Sequence, residues 1–517
     1  MIQIEANKVS ATFREFDLQN YDLFIRTKCL PESELVYDRE LDCYTISAPA
    51  RFAALLGMQD PRHPAELLPV SEHLFDFQAF AVKRALEARR FAAWFDTGLG
   101  KTHLFLEWAR QVSHLTNGRV LILSPLQIIP QTTRLAMEYF GLSLENLSTR
   151  EELADWCKRE GPAIGISNYE KLIPGVMPEL RYVAGLVLDE SSILKTGGGV
   201  IKWNLIKSAR GIEYKLSCTA TPAPNEAMEY ASQAAFLEKL RSEGEILWTY
   251  FTKDKFNNWR VKPHAREAFY KFMSSWSIYM RDPAHFGFKD ILSTLPSPET
   301  HEYRIEITDV QRELMHGFQT KAGKGMFNDR SGVQERSKLS QLAKGFLYEH
   351  GENKRTAVRV DSRKPQFVAD LVKKDSKDLQ VLVWTVFDAE SEIITELLPD
   401  AGVLHGFMPD SERQDVLQRF IAGDLQVLIS KASLIGYGLN LQNCRSMIFS
   451  GFDDSFERMY QAVRRCFRFG QTETVRVHVP FIPELEGMIF ENVRGKEAQF
   501  LHDVAEQEKW YRRALEL

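Results

Sequence analysis

Residues 95–102 read FDTGLGKT, and the five residues before them, 90–94, read RFAAW. A short apolar run feeds a glycine turn that closes on Lys-Thr. The segment that follows, THLFLEWARQVSHL at 102–115, places Leu104, Trp108 and Val112 at spacing four, which is the face of a helix. Strand, glycine loop and helix in that order predict a phosphate site. Gly98 and Gly100 let the backbone turn its N–H groups toward an anion, with Thr97 in the same loop. Lys101 is expected on the β/γ-phosphates and Thr102 on Mg²⁺. The positive end of the helix points at the same place. The usual first glycine of GxxxxGK[ST] is missing, because Phe95 stands there.

Working outward from the loop, buried strands alternate with helices. VLILS (120–124), AIGIS (163–167) and AGLVLD (184–189) read as strands buried on both faces. Alternation resumes later with QVLVWT, AGVLHG, QVLIS, SMIFSG and VRVHV, and the helix DSERQDVLQRFIAG lies among them. The stretch between about residues 225 and 298 is rich in aromatics and charges and reads as a mostly helical insert. Residues 1–69 read as a separate β-rich accessory module, with alternating stretches VSATFREF, DLFIRTKCL and CYTISAP and a short helix at RFAALLG. The expected organisation is therefore an accessory module at 1–69 and a first α/β lobe at 70–300. A second lobe at 301–483 opens on a helical segment, and a C-terminal helix spans 484–517.

Four more stretches carry chemistry. VLDESS (187–192) ends a strand with Asp189, placed to hold Mg²⁺, and Glu190, placed to polarise an attacking water. LSCTATPAPN (216–225) is a stiff turn bearing the hydroxyls of Thr219 and Thr221. ISKASLIGYGLNLQN (429–443) has Gly436 and Gly438 in a turn after a buried strand, where backbone N–H groups meet the nucleotide or a nucleic-acid phosphate. QAVRRCFRFGQ (461–471) sets Arg465 and Arg468 on one helical face, an arrangement suited to an arginine finger.

In this order the motifs resemble helicase superfamily two, and within it the Swi/Snf-type ATPases. FDFQAFAV resembles the adenine-reading segment, with Gln78 as its glutamine. FDTGLGKT resembles DEMGLGKT, VLDESSILK resembles DEGHRLK, and TATPAPN resembles TGTPLQN. GYGLNLQN resembles GLGLNL, and QAVRRCFRFGQT resembles QAIDRAHRIGQT. The resemblance runs from Gln78 to Gln471. It implies an α/β fold of two tandem RecA-like parallel-sheet lobes with helical insertions, ATP and Mg²⁺ as cofactors, and a DNA-dependent ATPase moving on duplex DNA. Lys101, Glu190, Arg465 and Arg468 then take catalytic roles, and Gln78, Thr97, Gly98, Gly100, Thr102 and Gly438 bind nucleotide. Thr219, Thr221 and Gln461 couple the lobes, and Ser124, Tyr169 and Lys431 touch nucleic acid. Ser192 departs from the pattern, replacing a histidine that contacts the threonine-bearing turn in many relatives. Tyr437 and Phe467 are further departures.

The bulk numbers bound these readings. A chain of 517 residues is too long for one hydrophobic core. A net charge of −5 excludes a uniformly basic coat but not a local basic groove. The six cysteines are scattered, without metal-ligand spacing. With no signal peptide and no apolar run near the roughly 20 residues of a membrane helix, a cytoplasmic monomer is expected, in a bacterial or bacteriophage setting. Single-stranded, forked or RNA substrates stay open beside duplex DNA. So do a strand-separating or annealing activity at forks, a catalytically weak DNA-binding scaffold, and a protein partner for residues 1–69.

Overall fold

The computed structural model describes residues 2–5, 8–14, 18–28, 30, 33–49, 56, 67–195, 199–223, 227–240, 242–254, 259–289, 296–322, 329–350, 355–432, 434, 441–452, 455–467 and 471–515. The N-terminal module is a four-stranded antiparallel sheet in the order Ile2–Glu5, Lys8–Phe13, Cys43–Pro49, Glu34–Asp38. Alternation along VSATF puts Val9, Ala11 and Phe13 on the buried face. DLFIRTKCL, which alternates like a strand, instead lies largely in the helix Leu18–Lys28. Leu23 and Phe24 from this helix cover Ala11, Phe13 and Ile46, so packing overrides a local β pattern. The helix expected at RFAALLG lies outside the described residues except for Leu56, which is buried.

The first α/β lobe is a seven-stranded parallel sheet. Its order is Ser277–Met280, Arg90–Phe95, Tyr214–Cys218, Gly185–Asp189, Arg119–Ser124, Ala163–Asn168, Glu145–Asn146. The central strands are mostly apolar because helices cover both faces, with Lys215 and Ser217 buried in Tyr214–Cys218. Trp94, on one face, joins a core with Trp156 and Trp276, while Phe95 and Trp108 join the core on the other. The strands carrying FDTG, DESS and TATP are immediate neighbours, so all three turns leave the same carboxyl edge of the sheet.

The insert is less helical than its composition suggests. Helices Tyr230–Phe236, Glu243–Tyr250 and Arg266–Trp276 are present, but an antiparallel hairpin pairs Phe251–Lys253 with Trp259–Val261. The insert then returns to the lobe as the edge strand Ser277–Met280, beside Arg90–Phe95.

The second lobe is a six-stranded parallel sheet. Its order is Glu299–Arg304, Arg476–Phe481, Ser446–Phe449, Val381–Thr385, Val427–Lys431, Gly402–Val403. A strand, Glu299–Arg304, therefore precedes the helices Asp309–Ala322 and Asp329–Ala343. The helix Pro483–Leu515, roughly 50 Å long at 1.5 Å per residue, then crosses between lobes. Ile489 and Phe490 pack in the second lobe, whereas Val493, Phe500, Val504 and Trp510 pack in the first. Near its start, buried Glu486 takes hydrogen bonds from Lys344 (2.8 Å) and Lys364 (2.6 Å). Near its end, Asp503 accepts from the Tyr270 hydroxyl at 2.8 Å. Among the described residues no helix is long and apolar enough to cross a membrane.

Candidate functional site: a cleft between the lobes

The strand Arg90–Phe95 ends with Phe95 fully buried against Phe77. Phe95 is thus the last residue of the strand and not part of the loop, which accounts for the missing first glycine. Gly98 (φ 92°) and Gly100 (φ 71°) make the turn in conformations that disfavour a Cβ. A Cβ on Gly100 would also stand 2.3 Å from Gln78 Nε2. Lys101, the first residue of the helix Lys101–Thr116, donates from Nζ to the Phe95 carbonyl at 3.1 Å. The Gln78 amide, expected to read adenine, braces the loop. Its Nε2 donates to the Leu99 carbonyl at 2.9 Å, and its Oε1 accepts from the Phe75 N–H at 2.9 Å.

Asp189 ends its strand almost wholly buried. Its Oδ2 accepts from the Ser124 hydroxyl at 2.8 Å, and its backbone carbonyl accepts from the Tyr169 hydroxyl. These contacts correct two expectations. Ser124 and Tyr169 are buried beneath Asp189 and offer no surface to nucleic acid, because both hydroxyls satisfy the acidic strand end. Burial and the adjacent Glu190 carboxylate push the Asp189 carboxyl up to about 7. Glu190 sits in the left-handed region at φ 55°, a conformation costing roughly 1–3 kcal/mol that tends to collect at working sites. Thr219 Oγ1 donates to Glu190 Oε2 at 3.2 Å and accepts from the Thr221 N–H at 3.2 Å. The threonine turn therefore reaches the acidic pair directly through Glu190, next to the position where Ser192 replaces histidine.

The second lobe contributes one helix, Phe456–Cys466, capped by the Ser455 side chain. Glu457, buried at its start, takes three contacts on its carboxylate. Lys195 Nζ lies 2.7 Å from Oε2, while Thr221 Oγ1 (3.5 Å) and Gln461 Nε2 (3.4 Å) address Oε1. One turn later Tyr460 donates its hydroxyl to Asp96 Oδ1 at 2.5 Å, and Arg464 pairs with Asp96 Oδ2. Arg281 stands 4.0 Å from the same carboxylate. Burial works against the Arg464 charge, but the Asp96 carboxylate and Tyr460 outweigh it and raise its pKa. Arg464 also lies over the rings of Tyr460 and Phe467. Glu457, Tyr460 and Arg464 went unread in the sequence. Their signal is a polar stripe at spacings of three and four along one helix.

Arg465 and Gln461 line a cleft opposite Thr97, Gly98, Gly100, Lys101, Thr102, Asp189 and Glu190. The cleft is narrow as the lobes stand, with about 90 Å³ of free space. Its groups suit a triphosphate: a glycine cradle, a lysine, a helix N-terminus, an acidic pair and an arginine from across the cleft. Among the described residues no cluster of three or more His, Cys, Asp or Glu forms a self-sufficient metal cage. Thr102 and Asp189 fit a Mg²⁺ that takes its remaining oxygens from phosphate and water. Lys431, expected near nucleic acid, ends a strand on the carboxyl edge of the second sheet and pairs with Asp388. Arg468 and Gly438 lie outside the described residues.

Two family models match this chain. The DEAD/DEAH box helicase model matches residues 75–229, and the helicase conserved C-terminal domain matches residues 363–470. The TATA-binding protein-associated factor mot1 of Aspergillus fumigatus, in two strains, is 34% identical over 92 residues. That match covers 17% of this chain and only 5% of the relative's own length. The Sulfolobus solfataricus SWI2/SNF2 ATPase core, solved in complex with dsDNA, is 18% identical. It aligns over 86% of this chain and 97% of its own at a TM-score of 0.39. The two helicase domains together span a little over half of the residues and meet at the cleft between Lys101 and Arg465, and on these grounds the chain belongs to helicase superfamily two.

Proposed function

We propose that the protein is a Swi/Snf-type, DNA-dependent ATPase that converts ATP hydrolysis into movement along duplex DNA. One observation carries the reading: a single cleft takes Lys101, Thr102, Asp189 and Glu190 from one lobe and Gln461 and Arg465 from the other. Lys101 leaves the Phe95 carbonyl to hold the β/γ-phosphates. Glu190, held by Thr219, orients the attacking water. Arg465 stabilises the charge that develops on the transferred phosphoryl group, with Arg468 as its expected partner. Thr102 and Asp189 would hold Mg²⁺, which would supply charge neutralisation for the phosphates. Hydrolysis removes what Arg465 holds and frees the lobes to part, so each turnover opens and closes the cleft. One chain supplies both halves, so a monomer suffices.

Duplex DNA across both lobes is the track this reading requires, with Lys431 on the second-lobe edge among its contacts. ATPase rate measured against blunt duplex, single-stranded, forked and RNA ligands tests it. DNAs that contain duplex, blunt or forked, are expected to stimulate more than single strands or RNA. Lys101→Ala is expected to abolish turnover with the fold intact, and Arg465→Ala to bind ATP but turn over on the order of 10³-fold more slowly. Stimulation by RNA alone, or normal turnover in Lys101→Ala, would refute the reading.

A further inference from the structure

The hairpin of the first-lobe insert builds a surface that nucleotide turnover does not use. Trp248, at the end of the helix Glu243–Tyr250, is 78% exposed. It is nevertheless fixed. Lys262 Nζ reaches back from beyond the hairpin to the carbonyls of Trp248 (2.7 Å) and Thr249 (3.1 Å). The ring of Trp259 meets Trp248 edge to face at 6.3 Å, and Lys253 Nζ lies 5.2 Å over Trp259. Phe251 and Tyr250 anchor this unit on Phe269 and Phe272 of the lobe core. The indole is thus presented on a rigid base.

The hairpin beside it carries more cations than anions. Between residues 248 and 266 the described chain carries Lys253, Arg260, Lys262 and Arg266 against Asp254 alone, within a protein of net charge −5. Asp254 is paired with Arg260 at 3.2 Å. Of the neighbouring carboxylates, Glu243 is paired with Lys202 and Glu267 with Lys271, and Glu245 stands three residues before Trp248 on its helix. An exposed tryptophan beside a basic hairpin suits a polyanion that also offers flat aromatic faces. Duplex DNA hides those faces in its stack, whereas unpaired nucleotides present them, and base-on-aromatic stacking beside cations is the common chemistry of single-strand binding.

We propose that Trp248, with Lys253 and Arg260 on the adjoining hairpin, is a contact for unpaired bases of a DNA strand, outside the ATP cleft. It gives the motor a preference for junctions that carry single-stranded arms over blunt duplex. The proposal rests on the reading of the chain as a DNA motor.

The test uses the full chain and two labelled DNAs of one sequence, a blunt duplex and a fork with single-stranded arms, with affinity read by fluorescence anisotropy. Trp248→Ala is expected to weaken fork binding roughly five- to hundredfold. It should leave blunt-duplex affinity and duplex-stimulated ATPase unchanged, and Trp248→Phe should restore most of the loss. Lys253→Ala with Arg260→Ala is expected to lower fork affinity and flatten its salt dependence. Unchanged fork binding in Trp248→Ala overturns the proposal, and so does an equal loss on both DNAs. A wild type whose ATPase responds to no DNA sinks the motor reading instead, and a fork-selective loss in Trp248→Ala would still support the contact.

Discussion

Asp96, just past the first strand of the phosphate site, is bound by Arg464, 368 residues later, and the Tyr460 hydroxyl shares the same carboxylate. This buried pair joins the lobes beside the nucleotide cleft, adjacent to Arg465. Arginine and tyrosine from one helix thus close over the residue that follows the strand end, while the next arginine, Arg465, lines the cleft opposite Lys101. The same helix therefore both joins the lobes and lines the cleft between them.

Arg464→Ala takes the nearest cation from a buried carboxylate and leaves only the more distant Arg281, which costs up to about 3–5 kcal/mol. The loss should fall on closure of the lobes more than on the folding of either one. Small-angle scattering should report a larger radius of gyration for the nucleotide-free variant. A double-mutant cycle with Asp96→Ala should give a coupling of about 1 kcal/mol or more in thermal unfolding. Unchanged dimensions together with additive losses would show that the pair does not hold the lobes.

Glu457 gathers Lys195, which follows the acidic pair, and Thr221 from the threonine turn onto the second-lobe helix. Glu457→Gln keeps the shape and removes the charge. Nucleotide affinity should persist, while the stimulation of turnover by DNA falls about tenfold, the equivalent of roughly 1.4 kcal/mol. A residue with only a structural role would lower the melting temperature and leave the ratio of stimulated to basal rate intact, so that ratio is the measurement.

Asp189 titrates near pH 7 because burial and Glu190 disfavour its charge. Its ordinary value is 3.8, so the folded state binds the proton more tightly than the unfolded chain does. That contribution to stability is present below about pH 4 and is lost as the pH rises to about 7. A divalent cation needs the carboxylate and competes with the proton. Mg²⁺ with nucleotide should therefore raise the melting temperature more at pH 8 than at pH 6. Apparent Mg²⁺ affinity should fall up to about tenfold per unit below pH 7. Asp189→Asn should abolish the difference, and a pH-independent Mg²⁺ response in the wild type would exclude Asp189 as the ligand.

The sequence by itself determined what is local. Glycines at 98 and 100, the lysine that opens the helix, and an acidic pair at a strand end are legible because turn geometry and helix polarity act over a few residues. Apolar strand runs likewise fixed two parallel sheets, since only strands covered on both faces read that way. The tertiary structure decided what is distant. Ser124 and Tyr169 look like surface hydroxyls in isolation, and they reach Asp189 only because the strand of Ser124 lies beside the one Asp189 ends and Tyr169 follows the next strand over. The composition of the insert suggests helices, yet Ser277–Met280 becomes a strand by pairing with Arg90–Phe95 some 180 positions earlier. The polar stripe of Glu457, Tyr460 and Arg464 reads as a solvated face until the lobes close on it. Buried charge is tolerated only opposite a partner, and no spacing within a single helix reveals that Arg464 finds Asp96 in the other lobe.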